Sequence, residues 1–520
     1  MNTQNNRENS MKQISRRTVL KGTAAAMAIS AFAGPSLAQG IEELVIAYNV
    51  NLPSWDPTVG PSAVNPTIQG IYQSVFDQFI LQQPDLSPAP GLLTEWGWND
   101  DKTKIMMTVR EGVTWHDGSP FTAEDVAWSL TRAADEKTGN PIQFIWSTLA
   151  NIKAEGNVVT ADVARFEPTI FKWMYFLTGY VLPKAYYEKV GPEGFEAAPI
   201  GTGPYMVDKF ERNAFVRLKA NPNYWGGKPD FETVTIKFVT DAASRVAEIE
   251  SGNAHVTLEM PYEEYDRLKG GSGIVGTDAP ISDIGMIFLN DIDAMLDPNV
   301  RMAAAMSIDK QLIIDRLLSG YGVAIDTLQT PEYEAYDASI RVPYDPEKAK
   351  ELLAASGYSP ENPVKFKIQT TRGFKPKDYE MIQAIVGLWR KIGIEAEIEV
   401  YEIAKHYELR AADQLAPAAF YNWGNSVADP TTSTGFAMFG PSPHSVWDGQ
   451  DLIDMIGPLW GEADEEKRID GWKKVDKYIA DNALVIPLLQ YVQPILHADG
   501  VAVTPHASGA LLPHLMKRAS

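Results

Sequence analysis

Two short stretches concentrate the chemistry of this chain. FYNWGNSVADPTTSTGF (420–436) brings Trp423, Asn425, Ser426 and Asp429 close together, and TTRGFKP (370–376) carries Arg372 and Phe374. The first stretch has neither a helical nor a strand period, and its Gly, Asn, Asp and Pro mark a loop. An aromatic face, neutral amide and hydroxyl groups and a carboxylate are the parts of a binding wall. A guanidinium grips a carboxylate or phosphate through paired N–H bonds. These groups recognise; they do not by themselves make a reaction centre.

Reaction chemistry is scarce elsewhere. There is no G-x-S-x-G, H-E-x-x-H or P-loop pattern, and GTGPY (201–205) lacks the third glycine of a dinucleotide fingerprint. The absence of cysteine removes disulfides, thiol nucleophiles, thiolate metal sites and a lipid-modified cysteine together. The histidines show no i, i+4 pair; His506 and His514 read as surface histidines rather than metal ligands. WHDGS (115–119) reads as turn chemistry rather than a His116–Asp117 dyad. These absences lower the odds of an enzyme, and no metal or cofactor is expected.

The elements around the two stretches suggest how they meet. VKFKIQT (364–370) alternates Val364, Phe366 and Ile368 with lysines, a helical pattern follows at 377–392, and IEAEIEVY (394–401) alternates again. Strand, helix, strand over this length is a βαβ unit with parallel strands. Ligands on such open sheets bind beyond the carboxyl ends of the strands, where TTRGFKP lies. APAAFYNW (416–423) reads as the end of another strand, so both loops are expected to face one cleft. VRMAAAMSIDKQLIIDRLLSG (300–320) reads as one long amphipathic helix, and YDPEKAKELLAASGY (344–358) as a helix capped by Asp345, with Pro346 first and Gly357 as its stop.

The N-terminus reads as an address. SRRTVLK is followed by a short apolar, Gly-broken run and a small-residue site with Ser36 and Ala38 at −3 and −1. Residues 1–38 are expected to be a twin-arginine signal peptide, leaving a soluble periplasmic protein that is not a lipoprotein. The net charge of −21 argues against nucleic acid or anionic membrane as partner. A chain of 520 residues exceeds what one core serves, so two or three lobes are expected.

Four blocks in order, 93–130 (LTEWGWNDDKTKIMMTVREGVTWHDGSPFTAEDVAWSL), 199–241, 300–322 and 344–358, resemble the extracytoplasmic solute-binding proteins of ABC importers, family 5, the peptide/nickel type. The resemblance runs from about residue 41 to 500. It implies an α/β, two-lobed periplasmic-binding-protein fold, type II, in the large cluster C form with an extra subdomain, its lobes joined by two chain crossings. Lobe I would take 39–282 plus 487–520, with an inserted subdomain at about 70–195, and lobe II 283–486, with crossings near 278–284 and 482–489. It implies a monomer that captures a small polar solute, peptide or peptide-like, and docks on an ABC permease powered by an ATPase. An oligosaccharide or opine-type conjugate is the alternative; a periplasmic enzyme or metal-chelate carrier is a more distant one.

In the dipeptide-binding branch the Trp-loop resembles W-x-G-D-x-x-D-P, whose first Asp holds the ligand ammonium. Here Trp423 and Asp429-Pro430 match, but that Asp falls on Ser426, preceded by Asn425. Arg372 matches the carboxylate-gripping Arg of that branch, with Phe374 in place of Tyr. The resemblance makes Trp423 a platform, Asn425 and Ser426 neutral hydrogen-bonders, Asp429 more a turn residue than a contact, and Asn49 a contact from the opposite lobe.

Overall fold

The computed structural model describes residues 40–442 and 445–519; the expected signal peptide lies outside them. The chain opens with strand β1 (Glu43–Tyr48). A separate four-stranded antiparallel sheet follows, built from β2 (Leu93–Trp98), β3 (Lys104–Val109), β4 (Leu149–Glu155) and β5 (Val158–Val163) in the order β2-β3-β5-β4. Then come β6 (Tyr205–Glu211), β7 (Phe215–Ala220), β8 (Thr233–Phe238), β9 (Val256–Leu258), the long β10 (Ile274–Leu289), β11 (Gly322–Ala324), β12 (Val364–Thr370), β13 (Ile394–Val400), β14 (Ala418–Gly424) and the long β15 (Val485–Ala498). These ten and β1 form one sheet, ordered β13-β12-β14-β10-β15-β9-β1-β8-β7-β6, with β11 on β15.

The two long strands belong to both halves of that sheet. β10 pairs with β15 through 274–280 and again through 284–288, and the register shifts between Pro280 and Ile284. Beyond the shift β10 also pairs with β14, while the far end of β15 pairs with β9. The result is the two-lobed α/β fold, with separate cores. One gathers around β1, β8 and β9, one fills the four-stranded subdomain, and two pack the opposite faces of the β12–β14–β10 sheet.

Local sequence explains the elements that carry the loops. Along β12 the apolar residues are buried, while Lys365 and Lys367 reach across to Glu395 and Glu399 of parallel β13 at 2.9 and 2.6 Å. Helix Asp378–Arg390 buries Met381, Ile382, Ile385 and Trp389 against this pair, and the Trp389 indole donates to the Ala304 carbonyl at 2.9 Å. Asp345, Pro346 and Gly357 act as their types predict: Asp345 accepts from the Lys348 amide, and Gly357 sits at φ 84°.

Two expectations need correction. The run 300–320 is not one helix but Pro298–Met306 and Lys310–Leu317. Asp309 ends the continuity by accepting from the Leu312 amide, an N-cap that starts a second helix. The stretch 420–436 is only partly loop: Phe420–Gly424 completes β14, and irregular chain begins at Asn425. The strand read at 416–423 thus runs one residue further, to Gly424, into the stretch read as loop.

Candidate functional site

The loop after β14 is built around Asp429, which is fully buried and caps Pro430–Thr432 by accepting from the Thr431 amide at 3.0 Å. The Arg468 guanidinium, also fully buried, reaches both its oxygens at 2.9 and 2.7 Å. Lys172, on helix Ile170–Trp173 beside the four-stranded sheet, donates to Asp429 Oδ2 at 2.9 Å and to the Ala428 carbonyl at 3.3 Å. Burial opposes ionisation of this carboxyl, but the Lys172 and Arg468 charges outweigh it and hold the group well below the usual carboxylate range. Asp429 is thus committed to two cations.

Asn425 and Ser426 are equally committed. The Asn425 amide nitrogen donates to the Asp429 carbonyl at 2.8 Å, its oxygen accepts from Thr432 Oγ1, and its carbonyl accepts from the Tyr333 hydroxyl. The Ser426 hydroxyl shares a 2.9 Å bond with Ser282, and its carbonyl accepts from Gln82 of lobe I at 2.6 Å. Val427 inserts into the hydrophobic core of the subdomain. Side chains expected to form a wall instead fasten the loop, internally and across to the other lobe. Trp423 keeps an accessible face: its indole N–H donates to the Thr432 carbonyl at 2.9 Å, and the Arg410 guanidinium lies 4.5 Å from its ring.

The loop after β12 is shaped by Asp378. Its carboxylate accepts from the amides of Gly373 at 2.8 Å, Phe374 at 3.0 Å and Lys375 at 3.3 Å, and from the Thr371 hydroxyl at 2.7 Å. This nest turns Arg372 outward, where its guanidinium stacks on Tyr379 at 3.8 Å, and leaves Phe374 exposed, edge-on to Tyr407. Lys375 is turned the other way. Its ammonium sits 2.5 Å from Asp283, at the register shift of β10, and Asn422 donates to the same carboxylate at 3.1 Å. Lys377 crosses to Glu263 of lobe I at 2.7 Å. Asn49, at the end of β1, donates to Glu259, which follows β9 with φ 53°. The structure therefore brings Asn425, Ser426 and Asp429 together in one fastened loop. It sets Arg372 and Phe374 apart on the outer side of the other loop, and places Asn49 on the lobe I side.

Residue-type reasoning missed Lys375, Asp283, Gln82, Lys172 and Arg468. Lys375 reads in sequence as a solvated loop lysine, and only the Asp378 nest turns it inward. His506 and His514 are not surface residues. His506 is buried, and burial pushes His514 down to about 4. Among the described residues no group of histidines and carboxylates is arranged to hold a metal ion. The turn at Asp117 is as expected: its carboxylate accepts from the Ser119 amide at 2.9 Å, while His116 bonds to the main chain of Gly201 and Gly203.

Behind the fastened loop, Asp476 of helix Glu465–Asp481 accepts from Thr434 Oγ1 at 2.9 Å, and its second oxygen has no partner among the described residues. Burial pushes its carboxyl up to about 7. A raised carboxyl binds its proton more tightly in the native state. Its contribution is therefore present below the ordinary carboxylate pKa and is lost as pH rises toward 7. Asp476→Asn is expected to be more stable than wild type at pH 8, by about 2–4 kcal/mol. The gap closes by pH 4; urea midpoints at the two pH values check this, and a pH-independent gap contradicts it.

With that geometry in view, the relationships of the chain are informative. Residues 87–442 match the profile of bacterial extracellular solute-binding proteins, family 5 Middle, and the chain belongs to that family. It is 27% identical over 452 residues to the dipeptide-binding protein of Escherichia coli (strain K12), covering 80% of this chain and 84% of that one. It is 25% identical over 478 residues to haem-binding protein A of Haemophilus influenzae, covering 86% and 85%. The structure of HbpA2 from Haemophilus parasuis superposes with a TM-score of 0.80 at 21% identity, over 92% of this chain and all of that one. Family 5 members are binding proteins rather than enzymes, and no helix among the described residues is long and apolar enough to cross a membrane.

Proposed function

We propose that this protein is the periplasmic substrate-binding component of an ABC importer, capturing a short peptide or peptide-like solute between its lobes and delivering it to a permease served by an ATPase. One observation carries the reading. Loops from the carboxyl ends of β12 and β14 meet side chains of the opposite lobe, Glu263 at one and Gln82 and Lys172 at the other. A solute held there is enclosed by closure of one lobe on the other. The similarity to a dipeptide-binding protein supports a peptide over an oligosaccharide or opine-type conjugate. The register of β10 and β15 supports crossings at 280–284 and 490–492, the second a few residues beyond the sequence expectation. Export as a free, monomeric protein after loss of a twin-arginine signal completes the proposal.

The test is mass spectrometry of solute released from protein purified from its native periplasm. A ladder of peptide masses is the expected result. A single sugar or conjugate mass overturns the peptide assignment, and a haem absorbance band would point to a different cargo.

A further inference from the structure

The fastened loop leaves no carboxylate for a cationic solute, since Asp429 is fully engaged by Arg468 and Lys172. A second acidic group lies between the lobes. Asp283 stands at the register shift of β10, one strand from Gly424, and Glu259 stands just beyond β9 in lobe I. Both act on one ammonium. Burial works against the Lys375 charge, and the Asp283 and Glu259 carboxylates more than offset it. Arg245 adds charge behind Glu259, but its guanidinium is spent on main-chain carbonyls of Leu258, Glu259, Val239 and Thr240.

Two polar atoms beside these carboxylates are buried and unpaired among the described residues. Asn49 Oδ1 is buried without a partner, beside the amide that donates to Glu259. The Tyr491 hydroxyl is also unpartnered among the described residues, on a side chain only 3% exposed whose ring lies 5.5 Å from Lys375 Nζ. Buried polar atoms left unpaired are costly, so in a native site they mark where something else binds. Glu259 is itself accessible and held in the left-handed region, a conformation that a non-glycine residue keeps only where the surroundings impose it.

We propose that Glu259 and Asp283, with Asn49 and Tyr491 beside them, form the subsite for the cationic group of the solute, an ammonium or guanidinium, and that Lys375 is its built-in partner cation. This rests on the peptide reading for the identity of the solute, but its chemistry requires only a positive group. The carboxylate absent at position 426 is then supplied from the strand crossing and from lobe I, so that binding the cation ties the lobes together.

The test dialyses wild-type and Glu259→Gln protein against a dipeptide mixture of which half has been N-acetylated, and weighs what each retains. Wild type is expected to enrich the free-amine half by about tenfold or more, the scale of a charge-assisted contact, and Glu259→Gln to bring the ratio close to one. An even ratio in wild type, or an unchanged ratio in the variant, overturns the subsite while the peptide reading stands. Retention of neither half overturns the peptide reading. The cationic small molecules of a periplasmic extract, dialysed in the same way, then decide the subsite: equal retention by both proteins overturns it, and loss in the variant supports it. Asp283→Asn is the second variant, expected to act in the same direction.

Discussion

Arg468→Met is expected to destabilise lobe II by about 3–5 kcal/mol, the cost of removing one partner from a buried ion pair. The side chain is fully buried, and both Asp429 oxygens lie within 2.9 Å of it. Methionine keeps most of the volume and none of the charge. Asp429 is left with Lys172 alone, in a site that water does not reach. The expected readout is a lower urea midpoint followed by tryptophan fluorescence, since Trp423, Trp460 and Trp472 all pack in the core that this helix covers. Adding Asp429→Asn removes the stranded charge, so the double variant is expected to be more stable than Arg468→Met alone. A single variant within about 1 kcal/mol of wild type would be an ordinary surface effect and would mean that the pair does not hold the loop.

Sequence showed the frame better than the fastening. β12 and β13 were visible because one face is buried and the other wet, so Val364, Phe366 and Ile368 alternate with lysines that pair with glutamates of the next strand. The cap at Asp345 was visible because it acts within four residues of chain. β14 was visible as a strand end at 416–423, one residue short of its C-terminus, whereas the break at Asp309 was hidden by an apolar period that runs through it. The two loops were legible in sequence, and the pairs that fasten them were not. Asp429 and Arg468 lie 39 residues apart and Asp429 and Lys172 257 apart, and no local pattern links such pairs. Arg372 attracted attention by its fork of donors, yet the Asp378 nest sends Arg372 outward and Lys375 inward. A backbone turn decided which cation meets Asp283, and residue types alone do not encode that turn.

Lys172→Met is expected to weaken solute binding by about tenfold, mostly through faster release, while leaving the urea midpoint of lobe II nearly unchanged. On the proposed lobe boundaries Lys172 lies in the lobe I subdomain and Asp429 in lobe II, so their 2.9 Å pair would exist only while the lobes touch. When the cleft opens, Asp429 keeps Arg468 and stays compensated, and the Lys172 ammonium, already about one-quarter exposed, returns to water. The pair therefore contributes to the closed state and little to folding. A charge-assisted bond exchanged for hydration is worth about 1–2 kcal/mol, which moves a closing equilibrium by roughly five- to thirtyfold. Val427 in the subdomain core and the Gln82 bond to Ser426 remain and keep closure possible. Stopped-flow release and small-angle scattering of the solute-free protein would read the two consequences: a faster off-rate and a more open mean shape. Unchanged release in Lys172→Met would mean that the seam at Val427 and Gln82 suffices for closure. A parallel fall in urea midpoint would mean that Lys172 belongs to the fold rather than to the motion, and contrast with Arg468→Met distinguishes the two because both variants act on the same carboxylate from opposite sides of the cleft.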